Sequence, residues 1–454
     1  MEAEGFKIDR RSRTDAMGRE GISRLLLRFS APAIIAAEAA AGYNLFDAIW
    51  CGRLGAEALA ALSVSAPLMA IYRAVGVGIA TGTASLIARH LGSGRREEAD
   101  KAAGNSISLF FMVSAVTVII CLINLEILLR AFGADDSVLP HAWSYMFIET
   151  CSMPIDFFLV VLAELVRTEG KPTFSSFCMF IASVVDIVFS PVLVFGVGPF
   201  PSLGIAGAAL GTTIGRSVGV SILLVYLCLG RSIYHFKPDY FIPKLKIIVD
   251  IYRIGISATL RASVFSVTQI LACRAAASFG IVPLAVLGIL YKINLVVLSF
   301  YIGLSQGMLP LVGYNFGAKK NKRVGEIVVK AGIVSCIWGV LWFALAISFP
   351  AQVLSLFSSD VDFINAGIQA LQIFALNFIF QSVEFFASSF FQGIGKAFYS
   401  LLATSSRSLI FSIPSLLVMP NIFGLTGLWA VFPLAAVLSA VLNLALTAIT
   451  FRSL

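Results

Sequence analysis

Glu38, Asp47, Glu149, Asp156, Glu164 and Asp186 stand inside apolar stretches of the first half of the chain, and Glu126 lies near the end of another. The second half has a single embedded carboxylate, Glu384; its other embedded charges are Arg261, Arg274, Lys292 and Arg407. Arg73 and Arg216 belong to the first half. A charge inside hydrocarbon is costly, so each is a functional candidate. A proton or Na⁺ needs acceptor oxygens, which places any cation-coupling chemistry in the first half. Asn44 and Asp47, three residues apart, share one helix face, as do Asp186 and Ser190, four apart. Glu38 is nine residues from Asp47, about 180° around a helix, so these two acids point to different neighbours. Asp47 and Asp186 are the main coupling candidates, with Glu38 and Asp156 secondary. Each acid could instead only lock helices together, Asp186 by pairing with Arg216. Glu164, close to Arg167, reads as an interfacial anchor, and Pro32 as a bend in its helix. The three histidines lie in or near loops, and no metal motif, phosphate loop or nucleophile elbow is present. The expectation is a protein that is not an enzyme, with no cofactor and no structural metal.

The elements that must position these residues follow from composition. Of 454 residues, 58% are hydrophobic and only 13% charged, against about 25% charged in soluble domains. Mean hydropathy is +0.92. That composition excludes a soluble enzyme or a nucleic-acid binder, despite a net charge of +8. A span needs roughly 20 apolar residues. Twelve stretches qualify: 26–50, 59–87, 104–130, 142–166, 173–197, 205–229, 253–279, 283–312, 327–349, 367–391, 398–419 and 425–450. GVGPFPSLG (196–204) and MPNIFG (419–424) read as turns. Most of the Lys and Arg flank alternate ends of these spans; the opposite flanks hold only Arg53 and Arg130. The positive-inside rule then puts both termini in the cytoplasm. The first twenty residues lack an apolar core, so no cleavable signal peptide is expected. The seven cysteines are scattered without metal spacing and read as unpaired thiols.

Sliding the chain by 225 residues aligns Arg28 with Arg253, Asn44 with Gln269, Gly55 with Gly280, Gly92 with Gly317, Asp135 with Asp360 and Gly170-Lys171 with Gly395-Lys396. Gly204 and Gly207 match Gly424 and Gly427 at an offset of 220. Each half therefore holds six spans. Six is even, so the halves form a parallel repeat about the membrane normal, as in alternating-access transporters. The fold class is an all-α polytopic membrane protein of two six-helix lobes. The divisions are a tail (1–21), a first lobe (22–230), a linker (231–252) and a second lobe (253–454). Asp47 aligns with Ala272 and Asp156 with Gln381, so these acids serve one lobe only.

The segments YNLFDAIWCGRLG, ASLIARHLGSG, RTEGKP, GIAGAALGTT, LSQGMLPLVGYNFGAKK and QGIGK together resemble the multidrug and toxic compound extrusion (MATE) family, in its DinF-like branch with MepA-like exporters. The resemblance covers the chain from about Leu25 onward. It implies a V-shaped fold and efflux of lipophilic, cationic organic compounds coupled to H⁺ or Na⁺. The branch's coupling site maps onto Asp47, Asp186, Ser190 and Thr212. Asp186 stands where an Asn is expected and Ser190 where an Asp is expected, so the carboxylate has moved one turn along the same face. Na⁺, if it is the coupling ion, would sit among these four. Gln381 stands near a position that is acidic in the NorM-like branch, which argues against that branch. The expected partners are small organic molecules and the lipid bilayer, with no nucleic acid, in a monomer of the cell (inner) membrane. The rival reading is a flippase or exporter of an anionic or lipid-linked solute.

Overall fold

The computed structural model describes residues 14–357 and 360–453, apart from the side chains at 44, 45, 48, 56, 262 and 362. Ten long helices run singly: α1 (Ile22–Leu54), α2 (Ala56–Gly92), α3 (Arg96–Ile123), α4 (Leu139–Thr168), α5 (Pro172–Phe195), α6 (Ile205–Cys228), α7 (Leu245–Ala277), α8 (Ile281–Gly317), α9 (Asn321–Ser348) and α10 (Val361–Ile394). A further helical stretch, 397–452, has 56 residues. At about 1.5 Å per residue it would be ~84 Å long, far beyond a ~30 Å hydrocarbon core. It breaks at Gly424, whose φ of 59° and ψ of −142° are not helical. The halves on either side are α11 (397–423) and α12 (425–452), which makes twelve spans. α7 begins at Leu245, inside the stretch expected as a linker.

The repeat is written in the backbone. Gly204 has φ 57° and ψ −136°, almost the angles of Gly424. Gly55 (129°, 173°) and Gly280 (123°, 179°) form a second matched pair. Gly94 (φ 76°) is matched by Lys319 (φ 59°), the one non-glycine in the left-handed region among the described residues.

Helices α1, α2, α4, α5 and α6 pack together, as do α7 to α12; α2 also packs on α7, and α8 on α1 and α2. Small residues make these crossings close, as expected where lipid supplies no hydrophobic drive between helices. A side chain at Gly78 would strike Gly255 and Thr259, and one at Gly82 would strike Ile251. Their matches at the 225-residue offset do the same on the other side: Gly303 lies against Ala33 and Ile34, and Gly307 against Ser30. Gly92 lies against Tyr314 while Gly317 lies against Arg89, so the pseudo-twofold axis passes through this crossing. All six glycines sit toward the end of the bundle that carries the basic loops. There the apolar core runs from the first lobe through Met308, Leu311 and Val312; a separate core surrounds Tyr301, Phe374 and Phe378. Toward the other end, α2 and α7 diverge around a cleft of about 510 Å³ lined by Ala66, Pro67, Gln269, Cys273 and Arg274.

Two straps cross between the lobes at the basic end. The segment before α1 docks on the second lobe: Met17 O accepts from Asn315 Nδ2 (3.0 Å), Gly18 O from Lys320 Nζ (2.8 Å) and Glu20 O from Arg323 Nη2 (2.7 Å). The segment before α7 docks on the first: Tyr240 O accepts from Asn105 Nδ2 (2.9 Å), and the Lys244 N–H donates to Asn105 Oδ1 (2.6 Å).

Candidate functional site

The first-lobe site is built by a glycine stripe. Gly207, Gly211, Gly215 and Gly219 recur every four residues along α6 and form one face. A side chain at Gly211 would collide with Ser190, and one at Gly215 with Ala182 O and Asp186. α5 and α6 therefore touch backbone to backbone, and Thr212 is carried up against Asp186. Pro191 sits inside α5. Its missing N–H releases the Ile187 carbonyl from the helix ladder beside the site.

Asp186 Oδ1 accepts from two hydroxyls, Ser190 Oγ at 2.9 Å and Thr212 Oγ1 at 3.2 Å. Asp47, on α1, is 7% exposed. It lies within hydrogen-bonding reach of Ser190 and within direct electrostatic range of Asp186, Glu149 and Arg216. Asp47, Asp186, Ser190 and Thr212, expected together, are brought together. The Asn44 side chain lies outside the described residues.

Beside them lies an ion-pair cluster. Arg216, one turn beyond Thr212 on α6, reaches Glu149 Oε2 at 2.9 Å and Asp156 Oδ1 at 3.2 Å; Arg73 Nε lies 3.8 Å from Asp156 Oδ2. Arg216 thus bonds to Glu149 and Asp156, and Asp186 is held by hydroxyls instead. Glu149 Oε1 and Arg216 Nη2 are buried without a hydrogen-bond partner. Four carboxylates face two guanidiniums, so the cluster has spare acceptor capacity for a proton or a small cation. Among the described residues, no group of three or more His, Cys, Asp or Glu is placed to hold a metal.

The other candidates lie elsewhere. Glu38 is half-buried and faces Ser299 of α8, away from Asp47. Asp156 belongs to the ion-pair cluster. Pro32 lies within α1. Glu164 is buried and paired with Arg167. All seven cysteines are free. In the second lobe, Arg407 pairs with Glu384, and Gln381 forms a buried chain of amides with Asn377 and Asn294.

A family model described as MatE matches two segments, 32–192 and 258–418, whose starts and ends are both separated by close to the repeat offset. The chain is 24% identical over 411 residues to the multidrug export protein MepA of Staphylococcus haemolyticus, covering 90% of each protein. It is 26% identical over 340 residues to a FAD transporter of Shewanella oneidensis, covering 75% of each. Among solved structures, it matches a MOP superfamily transporter from Pyrococcus furiosus whose binding pocket is described as having reverse polarity (TM-score 0.91, 23% identity, 96% of this chain and 98% of that one). It also matches an outward-facing multidrug resistance MATE family transporter (TM-score 0.89, 23% identity, 96% and 98%).

Proposed function

The chain belongs to the MatE family, and from that premise we propose that it is a secondary active exporter of lipophilic, cationic organic compounds, driven by antiport of H⁺ or Na⁺. The observation that carries the reading is Ser190 within reach of both Asp47 and Asp186, two carboxylates sheltered inside one lobe. When both are ionised they repel, strongly so away from bulk water. Uptake of a cation relieves the repulsion; its release leaves charge that an organic cation or a helix movement must answer. One charge crossing the membrane gains about 2.3 kcal/mol per 100 mV. H⁺ is the preferred coupling ion, because the carboxylate at Asp186, with Ser190 one turn further along α5, departs from the ligand arrangement expected for Na⁺ in this family.

Both termini are assigned to the cytoplasm by the basic flanks. The glycine crossings then seal the cytoplasmic end, and the cleft between α2 and α7 opens outward. A second reading, export of an anionic solute, is supported by the arginines of the second lobe and by the FAD transporter among the relatives. The deciding experiment imposes pH and Na⁺ gradients separately on proteoliposomes and follows efflux of a lipophilic cation. Asp47→Asn should abolish gradient-driven efflux with the protein still folded. Wild-type rates in that variant would refute the assignment.

A further inference from the structure

The two lobes share a backbone plan but not their charges, which makes each lobe a control for the other. At the 225-residue offset, Arg261 is matched by Ala36, Glu384 by Leu159 and Arg407 by Ala182. All three first-lobe positions are buried and uncharged. Helix packing in this fold therefore does not require charge at these places. Charges kept inside a membrane without a packing need point to function.

Arg407 Nε donates to Glu384 Oε2 at 2.6 Å, so one guanidinium and one carboxylate are matched. Arg261 approaches the pair from α7, its guanidinium 5.0 Å from the Phe385 ring centroid. Among the described residues no carboxylate bonds to it, and its side chain is half-buried. The cluster holds two cations and one anion. Arg407 projects from a π-helical turn, Ser406–Ser412; such turns frequently mark functional sites. It lines a small cavity with Thr268, Gln269, Tyr291, Asn294 and Asn377. Tyr291 Oη and Asn377 Oδ1 are buried there with no hydrogen-bond partner. Gln269 also lines the cleft between α2 and α7, as does Arg274. The cavity thus adjoins the space between the lobes, and a further cation stands along it.

We propose that the second lobe carries an anion subsite in which Arg261 pairs with a carboxylate of the transported molecule. The inference rests on the exporter reading and deepens it: the substrate class is a lipophilic zwitterion, its cationic end suited to the acidic first lobe. A planar guanidinium left without a carboxylate is shaped for bidentate carboxylate binding. Phe385 supplies an aromatic face beside it.

The test uses a matched pair of dyes, a rhodamine with a free carboxylate and its methyl ester. Binding to the purified full-length protein is measured by fluorescence anisotropy. Wild type should bind the free acid about tenfold more tightly than the ester, the scale of one charge-assisted hydrogen bond. Arg261→Gln should bring that ratio to about one, and Arg261→Lys should restore part of it. An unchanged ratio in Arg261→Gln overturns the proposal. So does equal wild-type affinity for both dyes, or a proportional loss of both in Arg261→Gln and Arg261→Lys, which would mean a structural role. Gradient-driven efflux of the same dyes judges the exporter reading separately, because the binding ratio stands whether or not transport is seen.

Discussion

The Thr212 hydroxyl donates to Asp186 Oδ1 at 3.2 Å, the same oxygen that takes the Ser190 hydroxyl from one turn along α5. A single carboxylate oxygen is thus held from two helices. This ties the α5–α6 contact to the ionic state of the site. Thr212→Val keeps the side-chain shape and removes the donor. Hydrogen bonds to charged groups contribute roughly 1.5–3 kcal/mol. Gradient-driven efflux should fall about tenfold in Thr212→Val, and further in Ser190→Ala, which also loses the reach to Asp47. Initial rates in proteoliposomes at matched protein load check this. Wild-type rates in both variants would remove the two hydroxyls from the coupling site.

Arg216 bridges Glu149 and Asp156 with its side chain only 7% exposed. Breaking a buried pair by removing one partner leaves charge uncompensated and costs about 3–5 kcal/mol. Arg216→Met should therefore lower the thermal midpoint in detergent by several degrees. Arg216→Lys should recover only part, because an ammonium cannot reproduce the two-pronged contact. Thermal unfolding followed by tryptophan fluorescence reports both. A midpoint unchanged in Arg216→Met would show that the pairs are dispensable.

Glu169 lies between α4 and α5 and receives the hydroxyls of Tyr226 and Ser232 and the Ile233 N–H. Burial pushes its carboxyl above the ordinary 4.5, and those three donors only partly offset the rise. A raised carboxyl binds its proton more tightly when folded, so its stabilising share is present at low pH and fades as pH climbs past the usual range. Glu169→Gln cannot titrate. The thermal midpoint of wild type relative to Glu169→Gln should therefore decline as pH rises from about 4.5. A difference that is flat or rises across that range would contradict the assignment.

Much of the architecture was legible because hydrocarbon enforces it. Spans must be long and apolar, basic residues collect at one end, and turns repeat where glycine permits a left-handed backbone. Legibility ends where shape outlives residue type. Lys319 adopts the backbone of Gly94, yet nothing in a lysine announces that conformation. In the site, Asp47 and Asp186 stood out because carboxylates are conspicuous among Ile, Val and Phe. Thr212 was silent in spacing alone. In apolar helices a threonine hydroxyl can satisfy itself on the preceding turn, and this one also reaches Ala208 O at 3.2 Å. Its signal was the four-residue glycine stripe of α6, which brings it to α5. The pairing of Arg216 with Glu149, 67 residues away, is purely tertiary and leaves no local pattern.

The crossing of Gly92 with Tyr314, and of Gly317 with Arg89, makes the basic end a fulcrum. Pro67, in the wall of the cleft between α2 and α7, lies 25 residues from Gly92 along α2. At about 1.5 Å per residue this is a lever arm of ~38 Å. A rotation of about 10° at the crossing sweeps the far end by ~7 Å, roughly the width of an aromatic ring. The same rotation parts the Gly78 and Gly82 contacts with α7, nearer the fulcrum, by roughly half as much. A side chain added at Gly92 or Gly317 would act at the short end of this lever, where a shift of one methyl group is magnified at the mouth.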